Sequence, residues 1–139
     1  QRVIEDDPDV KWVYRHFPLS GHSHALGAAT ASECVARLGG NDAFWQFADS
    51  AFSNQHILGN DFYEKTASSL GIDTSEFNSC LKDRSVTSEI QKDGSEAISS
   101  GGRGTPFGVV VTASGQRAPF TGALSYEQLV GLVERARVN

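Results

Sequence analysis

Methionine is missing from all 139 residues, so the chain does not open on an initiator, and residue 1 is expected to lie inside a longer gene product. Cysteine is nearly missing too. The only two, Cys34 and Cys80, stand far apart, so these residues hold no Cys-x-x-Cys. Without other soft ligands two cysteines do not make a zinc site. No apolar run is long enough to cross a bilayer and no signal peptide is present. Basic excess is lacking as well: 12 Lys and Arg against 17 Asp and Glu give a net charge of -5, which argues against a nucleic-acid partner.

What is there fits one globular domain with a sizeable core, 39% hydrophobic and 21% charged. After the polar stretch 1–9, residues 10–17 alternate apolar positions with β-branched and aromatic types and stop at Pro18, which predicts a strand. Small residues Ala25, Ala28, Ala29 and Ser32, then Val35, recur at helical spacing up to Leu38, and Gly39-Gly40 supplies a left-handed stop. Asn41 or Asp42 caps a second helix whose stripe is Phe44, Phe47, Ala48, Ala51 and Phe52, with Trp45 beside it. That spacing is read as core rather than as a cofactor box.

Three shorter helices follow. Asn60 opens one carrying Phe62, Tyr63, Ala67 and Leu70 and ending at Gly71, and Asp73-x-x-Glu76 resembles a capping box for Phe77, Cys80 and Leu81. A third, from about Ser85, places Val86, Ile90, Gly94 and Ala97 on one face and dissolves in Ser99-Ser100-Gly101-Gly102. Strands over 107–113 and 117–121 then form a hairpin about Ser114-Gly115, and Ser125-x-x-Gln128 caps a last helix with Leu129, Val130, Val133 and Ala136 on one side. Gly104-Thr105-Pro106-Phe107 leads straight into the first hairpin strand. A proline there has no N–H for the ladder, and we expect the Thr105–Pro106 bond to be cis, the alternative being an ordinary trans start to the strand.

Five runs, in this order, resemble the DsbA-like thiol-disulfide oxidoreductases, a branch of the thioredoxin fold: 12–19 (Trp-Val-Tyr-Arg-His-Phe-Pro-Leu), Ala28-Ala29-x-Ala31-x-Glu33-Cys34, Phe44-Trp45-x-Phe47, Phe77-Asn78-x-Cys80-Leu81 and Gly102-Arg103-Gly104-Thr105-Pro106. Each run is weak alone; the Arg-Gly-Thr-Pro loop is the most specific. The resemblance implies an α/β fold with a thioredoxin-like sheet, a single domain over 1–139, and a helical insertion over 22–99. It also implies that the first strand and the start of the redox helix are missing from these residues. Gln1-Arg2-Val3-Ile4 resembles the tail of that helix.

By the same resemblance Pro106 is the family's cis-proline, and Arg103, Gly104, Thr105 and Pro106 form the substrate-binding loop, with the Thr105 backbone offered to an extended polypeptide as to an added strand. No residue of this chain is expected to be catalytic. Cys34 and Cys80 are read as a structural disulfide like pairs in some members of the family, as two buried thiols, or as a reactive pair. His22-x-His24, with His16 nearby, lacks an acidic or thiol partner, so neither metal nor cofactor is expected; His16 is expected to orient the strand end near the redox site. The implied function is disulfide formation or isomerisation in exported proteins, in the periplasm or cell envelope. Partners would be unfolded or extended polypeptides, a redox partner protein and, through a strand swap, a second copy. The alternative is a redox-inactive thioredoxin-like peptide-binding or interaction module.

Overall fold

Several helix ends here are closed by nearby side chains or by glycine. The structure, a computed structural model, describes residues 2–138, and Gln1 lies outside the described residues. The order is α1 (Arg2–Asp6), α2 (Ala25–Ser53), a 3-10 turn (Gln55–Ile57), α3 (Asn60–Ser69), α4 (Thr74–Cys80), α5 (Arg84–Ser99), β1 (Phe107–Val111), β2 (Arg117–Thr121) and α6 (Tyr126–Val138). Within α2 the backbone turns at Gly40, where φ is 82° and ψ is -174°, so the segment is two helices meeting at a residue that only glycine adopts without strain. Asp73 caps α4 by accepting from the amides of Ser75 and Glu76 at 2.8 and 3.0 Å. At α6 the box is reciprocal: the Ser125 amide donates to Gln128 Oε1 at 2.8 Å and the Gln128 amide donates to Ser125 Oγ at 3.3 Å.

The chain divides into two compact units, residues 18–93 and the remainder. In the helical unit α2, α3 and α4 pack on one another, and Val35, Phe47, Phe77 and Val86 are fully shielded from water, with Ile90 at 1% exposure. Each such side chain gains about 1.5–3 kcal/mol from burial, which makes this cluster the principal source of stability in the unit. Tyr63 joins it with its hydroxyl donating to the His24 carbonyl at 3.3 Å, and burial pushes the Tyr63 phenol pKa up.

The other unit holds the hairpin, α1 and α6. β1 and β2 are antiparallel, with Phe107 opposite Thr121, Val109 opposite Pro119 and Val111 opposite Arg117. The Thr112 amide donates to the Gln116 carbonyl at 3.0 Å, and Gly115 turns the loop with φ 84°. α6 packs on both β1 and α1, and Arg137 grips Asp7 with a two-pronged contact, 2.8 Å at each prong. The predicted strand over 10–17 is not one. Among the described residues the sheet has two strands, β1 and β2, and the stretch 10–17 is irregular, with Val13 75% exposed. Alternating β-branched and aromatic residues fit a pleat, but a ladder forms only beside a neighbour, and β1 has paired with β2 alone.

Candidate functional site

The loop that leads into β1 is anchored at both ends. At its start, α5 closes with the amides of Gly101 and Gly102 donating to the carbonyls of Ile98 and Ala97, at 3.0 and 2.8 Å. At its end, the Pro106 carbonyl accepts from the Gly122 amide at 2.8 Å, which extends the hairpin pairing one step beyond β1. Arg117 of β2 reaches back to the Ser100 hydroxyl at 3.3 Å. Between these fixed points Arg103, Thr105 and Pro106 are exposed and Gly104 is half-buried. The Thr105–Pro106 peptide bond is cis. Among the described residues none hydrogen-bonds to the Thr105 amide or carbonyl, so both groups remain open to an incoming chain.

Beside this loop, β1 has one edge paired with β2 and the other without a strand among the described residues. Such an edge presents a row of donors and acceptors to any extended segment. Its residues, Phe107 to Val111, are uncharged, so an incoming strand would meet apolar side chains rather than repelling charges. The same unit holds His16, which is buried at 4% exposure and stands edge-on to Tyr14 with ring centroids 5.2 Å apart. Arg15 pairs with Glu96 of α5 at 2.5 Å.

Cys34 and Cys80 belong to the helical unit, where they are joined by a disulfide between α2 and the last residue of α4. Cys34 is fully buried and Cys80 half-buried. Near this bond Arg37 of α2 reaches Asp83 at 3.3 Å, the Ser85 hydroxyl at 2.9 Å and Glu89 at 2.7 Å, tying α2 to the start of α5. The Ser85 amide holds the Asp83 carboxyl below its ordinary value of 3.8, helped by the Ser85 hydroxyl and the Arg37 charge. Among the described residues no group of three or more His, Cys, Asp and Glu side chains is placed to hold a metal ion, and no helix is long and apolar enough to cross a membrane.

Residues 36–134 match the model of the DSBA-like thioredoxin domain, most of the chain's length. The chain belongs to that family. Among solved structures, the crystal structure of Pseudomonas aeruginosa DsbA2 superposes with a TM-score of 0.79 at 26% identity, covering 96% of this chain and 75% of that one. The fold is therefore the DsbA-like thioredoxin fold with its helical insertion. A second relative is a Na(+)/H(+) antiporter NhaA of Herminiimonas arsenicoxydans, 35% identical over 98 residues. That match takes in 70% of this DSBA-like chain but 15% of the antiporter's length. Sequence reasoning missed one residue that shapes the site: Gly108, against which the Phe120 ring is packed across the hairpin. Its only signal was a glycine inside an otherwise apolar strand, the usual mark of a close approach.

Proposed function

We propose that this chain is the substrate-holding part of a thiol-disulfide oxidoreductase that forms or reshuffles disulfides in exported proteins, with the Cys-x-x-Cys supplied by sequence outside these 139 residues. The observation that carries the reading is the exposed Thr105–Pro106 loop at the mouth of β1, its Thr105 backbone groups unpaired, in a DSBA-like fold. An extended substrate pairs with the Thr105 backbone, as peptides add to sheet edges elsewhere. Exchange itself is attack of a thiolate on a disulfide sulfur, and the chain's part is to hold the substrate while that happens. Cys34 and Cys80 serve as a structural bond, and Arg103 and Gly104 complete the loop. The compartment is the periplasm or cell envelope, where such disulfides persist.

The reading is tested by turnover of a dithiol peptide by the full gene product, beside the same peptide carrying an N-methyl group at the backbone position that faces Thr105. A backbone hydrogen bond contributes about 1 kcal/mol net, so kcat/KM should fall roughly fivefold for the methylated peptide while a small dithiol is turned over unchanged. A full gene product that has no Cys-x-x-Cys and oxidises neither peptide nor small dithiol contradicts the reading. One observation favours a second reading, in which this module is joined to a membrane transporter rather than released as an enzyme: the identity shared with a segment of an antiporter. Membrane fractionation of the full gene product, together with its sequence, separates the two.

A further inference from the structure

The Cys34–Cys80 bond is sealed at one end and open at the other. Cys34 is 0% exposed, inside the cluster that contains Val35, Phe47 and Phe77. Cys80 lines a shallow surface depression of about 500 Å³ together with Leu38, Ser75, Glu76, Ser79 and Asp83. In thiol-disulfide exchange the rate depends on which sulfur is attacked and on access to it. Of the two cysteines only Cys80 is half-buried and borders this depression, so a thiolate from solvent has its approach on the Cys80 side, with Cys34 as the sulfur it would displace.

We propose that Cys80 is a modification site for small thiols and that Cys34 is its built-in resolving thiol. In the forward step a thiolate bonds to Cys80 Sγ as the Cys34–Cys80 bond breaks, and Cys34 Sγ leaves with the electron pair and takes a proton from water. In the reverse step Cys34 gives up that proton, attacks Cys80 Sγ and releases the small thiolate. No net oxidation occurs and no further reactant is needed. A charge expelled into an apolar core is poorly solvated, so the forward step is disfavoured and the mixed disulfide closes back. The arrangement keeps the bond in place in the presence of thiols, by a route separate from the substrate loop.

The test is peptide mass mapping of the native chain after excess 2-mercaptoethanol at neutral pH, acid quenching and alkylation, beside Cys34→Ser and Cys80→Ser treated with 2-hydroxyethyl disulfide. The small fraction of wild-type mixed disulfide that the acid quench traps before it closes should carry its hydroxyethyl group on Cys80 and not on Cys34, and its absence would count against the proposal. Accessibility governs thiol reactivity, so Cys80 in C34S should acquire the adduct roughly tenfold faster than Cys34 in C80S, with the difference vanishing in urea. Adducts on Cys34 in the native wild-type chain, equal rates in the two variants, or reaction only after unfolding would each overturn the proposal. Where either variant fails to fold, the wild-type map decides.

Discussion

Gly108 pairs with Phe120 across the hairpin, and a methyl group built on its Cα would come within 2.2 Å of the Phe120 ring. Gly108→Ala must therefore displace the ring or spread the strands, and overpacking of this kind costs about 1–3 kcal/mol. Urea unfolding of G108A should show that loss; a midpoint equal to wild type would mean that the ring has room to move. Two surface carboxylates make a small acid-sensitive contribution to stability. Asp7 is held below the ordinary value of 3.8 chiefly by the hydrogen bond from Arg137, and Asp83 chiefly by the Ser85 amide. Because the folded pKa lies below the unfolded one, the stabilisation is present above 3.8 and disappears as pH falls through the lower folded value. Unfolding measured from neutral pH to about pH 2 should show stability falling below about 4, and Asp83→Asn should shallow that fall. A fall of equal slope in D83N would remove Asp83 from the account.

Among the elements, the helices were legible because their signals are local. The Ser125 and Gln128 box, the Asp73 cap and the turn at Gly40 each depend on residues within four positions, and the structure makes each of them. The buried faces were legible in part: Val86 and Ile90 of α5, and Phe44, Phe47 and Ala48 of α2, stand at helical spacing and are buried, but Phe52, read as part of the same α2 stripe, is 60% exposed near the end of that helix. The stretch 10–17 was not, because its pattern reports that the chain would suit a sheet, whereas a strand needs a partner that the pattern does not contain. For the candidate site, the sequence located the loop through Gly104-Thr105-Pro106, but the contact of Gly108 with Phe120 needed the register of the hairpin. Hydrogen exchange measures the contrast between the elements. The paired amides of β1 and β2 should exchange slowly and those of Lys11, Trp12 and Val13 fast, and equal protection in the two stretches would restore a strand at 10–17.

For the whole molecule, the disulfide spans a sequence separation of 46 residues within the helical unit. In the chain-entropy model closing such a loop contributes about 4 kcal/mol, an upper figure because denatured chains keep some structure. The double variant Cys34→Ser, Cys80→Ser should unfold at lower urea by up to that amount, and no change would make the bond incidental to stability. The central proposal is a division of labour, in which these residues of a DSBA-like scaffold would hold the substrate while sequence outside them would supply the thiol chemistry. Exchange needs an accessible thiolate with a resolving thiol in reach, whereas here both cysteines are committed to one half-buried bond. The most direct test is turnover in an insulin-reduction or dithiol-oxidation assay by the 139-residue chain alone, beside the C34S, C80S double variant. The account predicts no turnover above the uncatalysed rate from either. Turnover by the wild-type chain that disappears in the double variant would contradict it, and would make Cys34 and Cys80 the catalytic pair.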